Sequence, residues 1–149
     1  MKLQLGEILQ NRDAIEALSK LSLPGLKAFE VMEFVEDVDK NLDRYNKIRQ
    51  ETIKRLGSEK KDEEGNPTGE MFIDPQDTES FQSFLREMND LLVKEVNLPD
   101  LELTKDQFNL GAVNAQTDNL KAKDLLYIKA RFVKKEEIEP VESIEDSQE

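Results

Sequence analysis

Residues 26–56 read LKAFEVMEFVEDVDKNLDRYNKIRQETIKRL, and this stretch decides the fold. Its apolar residues recur every three or four positions, the spacing that places side chains on one face of an α-helix. A helix over this range is roughly 45 Å long, so it must pack against other elements or against another chain. The apolar stripe consists of Val31, Val35, Val38, Leu42, Tyr45 and Leu56, widened by Ala28, Phe29, Met32, Phe34, Ile48 and Ile53.

Shorter patterns on the N-terminal side of this helix predict a strand and a first helix. Residues 2–5 alternate polar and apolar side chains, as a short strand does, and Gly6 is expected to end it. A helix follows as far as about Lys20, with Asn11 capping its main part. The Leu-Pro-Gly break at residues 23–25 is short, so the two helices are predicted to form an antiparallel hairpin.

After Gly57, which is expected to stop the long helix, the chain is predicted to form two further helices and short extended segments. In order, these are an exposed charged loop at 58–69, a strand at 70–73, a helix from Asp74 to about Glu95, an extended segment at 96–103 and a last helix at 120–135. Residues 104–117 carry no clear pattern and are expected to be held by Phe108, Leu110 and Val113. The predicted class is therefore mostly α, of the α+β type, with two or three short strands.

The charge is distributed unevenly along the 149 residues, whose formal net charge is −12. Residues 136–149 hold seven acidic residues and no basic one, which is the composition of a disordered tail. The other 135 residues hold the remaining 26 of the 33 acids against all 21 bases. We therefore expect one mostly helical domain at 1–135 and a disordered acidic tail at 136–149.

Several residue types that carry chemistry are absent. The chain has no Cys, which excludes disulfides, and no His, which removes the commonest general base and transition-metal ligand. The acidic stretch that starts at Asp62 is not an EF-hand, because its sixth and twelfth positions hold Pro67 and Ile73. There is no glycine-rich phosphate loop and no apolar run of 18 residues. We therefore expect a cytoplasmic protein that is not an enzyme, with no cofactor, no metal and no membrane contact.

Two charged helix faces remain as candidate binding surfaces. Six acids crowd the side of the long helix away from the stripe, which indicates a solvated face or, less often, a docking surface. The last predicted helix carries six bases against Asp124, which indicates a solvated face more than a nucleic-acid surface. A further hypothesis is that the acidic tail masks this basic helix; the alternative is that it only aids solubility. The candidate partner-binding residues are Glu30, Glu33, Asp37, Lys121, Lys129 and Arg131.

Seven stretches of the sequence, taken in order, carry a further signal. They are MKLQLGEIL at 1–9, AIEAL at 14–18, LP at 23–24, YNKIR at 45–49, EGN at 64–66, FLREMNDLL at 84–92 and EVNL at 95–98. In this order they resemble an uncharacterised family of small proteins, a domain of unknown function, encoded by phages and prophages of Gram-positive bacteria. The resemblance implies a phage origin and a protein-binding or structural role, and it supplies no catalytic motif. It ends near residue 105, and the chain from Phe108 onward departs from it.

Two functional hypotheses follow. The first is a non-enzymatic phage or prophage interaction protein, namely an assembly factor, a minor structural component or a host-factor binder, in the cytoplasm of the bacterial host or in the virion. The alternative is an acidic decoy that inhibits a host nucleic-acid enzyme or an anti-phage defence protein. Because the stripe is longer than a helix at residues 8–21 can cover, we also expect self-association into a homo-oligomer.

Overall fold

The structure is a computed structural model that describes residues 1–115 and 120–136. This part of the chain forms six helices and two small antiparallel sheets of two strands each, which confirms the mostly α, α+β class. The elements are β1 (Lys2–Gln4), α1 (Leu5–Gln10), α2 (Arg12–Leu18), α3 (Gly25–Leu56), β2 (Ser58–Lys61), β3 (Pro67–Phe72), α4 (Thr78–Leu92), β4 (Glu95–Asn97), α5 (Lys105–Val113) and α6 (Ala122–Phe132). The predicted tail lies outside the described residues from position 137 onward, so its disorder stays a prediction.

Helix α3 is the predicted long helix, and it begins one residue earlier than expected. Val31, Phe34, Val38 and Leu42 of its stripe are buried in the core. Thr52 continues the buried row, and its hydroxyl donates to the carbonyl of Ile48 at 2.7 Å, which satisfies a polar group away from water. The apolar period therefore identified the core face of α3 at these positions, whereas Phe29, Met32 and Ile48, which were also assigned to the stripe, are exposed.

Other elements of the same chain cover this stripe. Helices α1 and α2 contact α3, α4 and β3 also contact it, and α2 packs against α6. Phe132 of α6 meets Phe34 edge to face, with ring centroids 5.2 Å apart. Helices α1, α2 and α4, strand β3 and Phe132 of α6 thus cover the stripe within one chain, so its length is no longer an argument for a second copy. Self-association itself stays a prediction without this support.

The helices on either side of α3 form hairpins with it. Helix α2 is joined to α3 by residues 19–24, which confirms a helical hairpin. Helix α4 lies antiparallel to α3: Arg55 pairs with Glu87, whereas the earlier Arg44 borders the same cleft as Lys94. The long helix is therefore packed over both its N-terminal and its C-terminal half.

A β-hairpin replaces most of the loop predicted at 58–69. Strands β2 and β3 pair antiparallel, with Ser58 opposite Phe72 and Glu59 opposite Met71. Their residues are almost all exposed, so neither strand shows the alternation that marks a half-buried strand. The carboxylate of Asp62 shapes the turn by accepting from the backbone N–H of Asn66 at 2.8 Å.

Two distant pairings close the fold. Strand β1 pairs antiparallel with β4, and Leu3 lies opposite Val96. Leu103 bridges to the end of α6: its N–H donates to Phe132 O at 2.7 Å, and its carbonyl accepts from Lys134 N at 2.8 Å. These bonds hold α6 against the core, where Ile128 and Phe132 are fully buried.

Several predicted boundaries of strands and helices are wrong. Gly6 lies inside α1 rather than ending the strand. Asn11 does separate two helices, but its side-chain amide donates to Glu7 O at 2.9 Å and so closes α1 instead of capping α2. Helix α4 is capped by Asp77, whose carboxylate accepts from Ser80 N, and not by Asp74.

Helix α5 occupies the segment that had no clear pattern. Thr104 and Gln107 cap each other's backbone N–H groups in a capping box, which fixes its N-terminus. Phe108 is buried as expected, but Leu110 and Val113 are exposed and do not hold the segment. No helix in the described part of the chain is long and apolar enough to cross a membrane.

Candidate interaction surfaces

Three large apolar side chains lie exposed at the N-terminal end of α3. Leu26, Phe29 and Met32 are 76%, 59% and 58% exposed. At about 100° per residue they point away from the buried side of the helix, on the side opposite Val31 and Phe34. We call these three residues the apolar tip. The elements that cover α3 pack on its buried side, so none of the described elements covers these three side chains.

An acid row continues the same outward face toward the C-terminus of α3. It comprises the exposed residues Glu33, Glu36, Asp39 and Asp43. With the apolar tip, this row forms one strip that we call the outer face of α3. The sequence-based expectation of acids opposite the stripe is met at these four positions.

The other two acidic candidates lie on the flank of the helix instead. Glu30 is partly buried and pairs with Lys27, whose ammonium lies 2.6 Å from a carboxylate oxygen. Asp37 is also partly buried and lies 3.4 Å from the ammonium of Lys40. Of the three acids proposed as binding residues, only Glu33 therefore faces outward without an ion pair in the described part of the chain.

Arg131 forms an ion pair with Glu7 of the same chain. The guanidinium donates to both carboxylate oxygens, at 2.7 and 2.8 Å, and the Tyr127 hydroxyl donates to the same carboxylate at 3.1 Å. The hydrogen bond from Arg131 lowers the pKa of Glu7, and burial raises the pKa of Tyr127. Because its donors serve α1, Arg131 positions α6 rather than offering a free cation to a partner.

The bases of α6 do not form one continuous surface. Lys121 precedes the first turn of the helix and Lys129 lies in its last turns, roughly 12 Å apart along the axis. Between them Asp124 is buried near the positive end of the helix, a favourable place for a carboxylate. Lys129 instead joins lysines from two other segments.

The end of α6 and the start of α5 border a groove rich in lysine. Their neighbourhood in space follows from the pairing of Leu103 with the chain at 132–134. We call this the lysine groove, and its charged and polar residues are Thr104, Lys105, Asp106, Lys129, Lys134, Lys135 and Glu136. Lys105 and Glu136 form an ion pair across it at 3.2 Å.

Sequence reasoning missed the apolar tip and half of the lysine groove, although the sequence contains a signal for each. Phe29 and Met32 were assigned to the core stripe, yet their helical angle places them with Glu33 on the opposite side. Lys105 was left in an unassigned segment, yet Thr104 and Gln107 have the spacing of a capping box and predict a helix that starts there.

Comparison with family models, with curated proteins and with solved structures finds no match to this chain. Among the described residues, no three acidic side chains cluster closely enough to hold a metal ion. The physical basis for a functional proposal is therefore the two surfaces: the outer face of α3 and the lysine groove.

Proposed function

We propose that this chain is a non-enzymatic interaction protein that binds another protein through the outer face of α3. The apolar tip carries the proposal. Exposed apolar residues scattered singly are ordinary, but a Leu, a Phe and a Met on successive turns of one helix form a patch. Aromatic residues and Met are enriched where proteins meet, and a central aromatic residue often supplies much of the binding free energy.

The acid row defines the chemistry of the partner. Carboxylates that continue from Phe29 and Met32 suit a surface with an apolar pocket bordered by Lys or Arg. Such charges raise the association rate and select the partner, whereas the buried apolar contact sets the lifetime of the complex. We expect Phe29 to be the residue that enters the pocket.

The resemblance to phage and prophage proteins supports a partner of phage or host origin. In that setting the chain acts as an assembly factor, a minor structural component or a host-factor binder, in the bacterial cytoplasm or in the virion. A homo-oligomer stays a separate prediction, in which the apolar tip meets the apolar tip of a second copy and the two acid rows do not face each other.

The second candidate function is an acidic decoy that occupies the basic surface of a host nucleic-acid enzyme or defence protein. The observation in its favour is the acid row itself, in which Glu33, Glu36, Asp39 and Asp43 are all exposed along one rigid helix. A decoy depends on these charges, so its binding weakens steeply with salt. Binding through the apolar tip depends on salt far less.

Affinity capture from the natural host with three variants tests both functions. Phe29→Ser with Met32→Ser removes two of the three residues of the tip, and Glu33→Gln with Glu36→Gln weakens the row. Leu110→Ser with Val113→Ser is the control on another exposed apolar pair. We expect a partner that is retained by the control and lost by the tip variant. A virion or assembly protein supports the first function.

A polymerase, nuclease or defence enzyme that is lost with the acid-row variant supports the decoy instead. Capture of the same set of proteins by the wild type and by both outer-face variants would contradict both functions. The thermal unfolding of each variant is measured alongside, so that a loss of binding can be separated from a loss of folding.

A further inference from the structure

The lysine groove is a second surface, independent of α3, and the chain supplies an occupant for it. Lys105 comes from α5, Lys129 from α6, and Lys134 and Lys135 from the segment just beyond α6. Asp106 and Glu136 also border the groove, so its four lysines exceed its acids by two positive charges. Excess cations in a concave surface attract an anionic ligand.

The chain leaves this groove at Glu136 and continues with acidic residues. Residues 137–149 contain six acids and no base, with Ile138, Val141 and Ile144 between them. Glu136 already pairs with Lys105, so the first acid of the sequence-defined tail is seated in the groove. Thirteen residues reach at most about 43 Å, enough to lie along any part of the groove.

We propose that residues 137–149 bind back into the lysine groove and keep other polyanions out of it. A tethered segment is present at an effective concentration of about millimolar, which an external ligand must exceed. The remainder of the chain favours this occupant as well. Residues 1–136 carry 27 acids against 21 bases, a net charge of −6 that repels free nucleic acid, whereas the tether keeps the tail near the groove despite that repulsion.

This arrangement differs from a tail that simply masks the basic helix. Arg131 contributes nothing to it because Glu7 holds its guanidinium, and Lys121 lies at the other end of α6. Lys105 lies outside that helix, at the start of α5, and it already forms an ion pair with Glu136. The groove therefore depends on the backbone pairing at Leu103 and on the capping box at Thr104.

A nitroxide label near the end of the chain tests the docking. Since the chain has no Cys, Ser147→Cys gives a single labelling site in the full-length protein. Even without docking, a label on the tail broadens the amide signals of Lys105 and Asp106 to some extent, because the tail is attached nearby. The measured quantity is therefore the part of the broadening that changes with salt. We expect it to be strong at low salt and to be lost at high salt.

Two triple variants make the measurement specific. Lys105→Gln, Lys134→Gln and Lys135→Gln together remove the groove, and Lys20→Gln, Lys121→Gln and Lys123→Gln are the matched control on exposed lysines elsewhere. The expected result is a loss of the salt-dependent broadening in the first triple and its retention in the second. Equal broadening in both triples and in the wild type would overturn the proposal.

A binding assay with a single-stranded DNA oligonucleotide tests whether an outside polyanion is the natural occupant. In one variant, all six acids of residues 137–149 become Gln or Asn. The matched control removes six exposed acids elsewhere, namely Asp13, Glu16, Glu51, Glu63, Glu64 and Asp90, so that both variants have the same net charge. We expect the tail variant, and not the control, to bind roughly tenfold more tightly than the wild type at low salt. If the wild type already binds as tightly as the tail variant, the groove is an open nucleic-acid site and the proposal fails.

Discussion

Arg131 and Glu7 join the last described helix to the first, across 124 positions of sequence. The two hydrogen bonds of this pair, at 2.7 and 2.8 Å, have the bidentate geometry in which Arg binds a carboxylate best. The hydroxyl of Tyr127 adds a third donor, and Tyr127 also meets Phe132 edge to face at 6.0 Å. The pair therefore orients α6 so that Phe132 reaches the core.

The first prediction concerns Glu7→Gln and its dependence on pH. The side chains of Glu7 and Arg131 are 25% and 46% exposed, so solvent screens the pair. We therefore expect a loss of only about 1 kcal/mol in unfolding free energy at pH 7. Because Arg131 lowers the pKa of folded Glu7, this stabilisation is complete above the unfolded pKa of about 4.3. It is lost as the pH falls through the folded pKa.

Urea unfolding at pH 7 and near pH 3 measures this effect. The wild type and Glu7→Gln should differ at pH 7 and converge in acid. Asp37→Asn is the control, since its pair with Lys40 is 3.4 Å long and less buried than the pair of Glu7, and we expect a change below about 0.5 kcal/mol. A difference for Glu7→Gln that is the same at both pH values would show that the carboxylate charge is irrelevant.

The second prediction compares two phenylalanines of α3. Phe34 is fully buried against Phe132, so Phe34→Ala should cost about 3–5 kcal/mol of unfolding free energy. Phe29 is 59% exposed on the opposite side, so Phe29→Ala should change it by less than about 0.5 kcal/mol. Thermal and urea unfolding of both variants measure these two changes in unfolding free energy. Similar losses in the two would mean that the apolar tip is packed, and would remove it as a docking surface.

The third prediction compares two glycines at the ends of α3. A Cβ on Gly57 would lie 2.5 Å from the carbonyl oxygen of Phe72 and closer still to that of Ile53, whereas one on Gly25 would meet nothing within 4 Å. We therefore expect Gly57→Ala to cost about 1–3 kcal/mol. Gly25→Ala should stabilise by up to about 1 kcal/mol through the unfolded state. Equal effects in urea unfolding would contradict the close approach of the β-hairpin to the end of α3.

The sequence predicted those parts of the fold that depend on local periodicity. The bounds of α3 are correct to one residue because a stripe at helical spacing and a stop at Gly57 are both local signals. The last helix was located for the same reason, although α6 spans Ala122–Phe132 rather than 120–135. The hairpin of β2 and β3 was missed because both strands are exposed, so no alternation of polarity distinguishes them from a loop.

Long-range contacts explain the rest of what the sequence did not reveal. No local pattern brings Leu3 beside Val96, or Leu103 beside Val133, and these pairings assemble the cover of α3 and the lysine groove. Without them, Arg131 looked like a free cation, although Glu7 binds it from the other end of the chain. The candidate surfaces could therefore be named by charge, but not separated into paired and unpaired residues.

The last prediction concerns the capping box that fixes the start of α5. Thr104 Oγ accepts from Gln107 N at 3.1 Å, and Gln107 Oε1 accepts from Thr104 N at 3.0 Å. Thr104→Ala removes one of these bonds and leaves an N–H of the first turn without its acceptor, so we expect a loss of about 1 kcal/mol in unfolding free energy. Thr104→Ser keeps the hydroxyl and should restore most of it.

A double-mutant cycle with Gln107→Ala tests whether the two caps act together. Each bond orders the turn that the other one needs, so the double variant should lose less than the sum of the two single variants. Because the same turn presents Lys105 to the lysine groove, Thr104→Ala should also reduce the salt-dependent broadening of the Lys105 signal in the labelled chain. Strictly additive losses, with unchanged broadening, would show that α5 is held by Phe108 and its neighbours in the core and not by its cap.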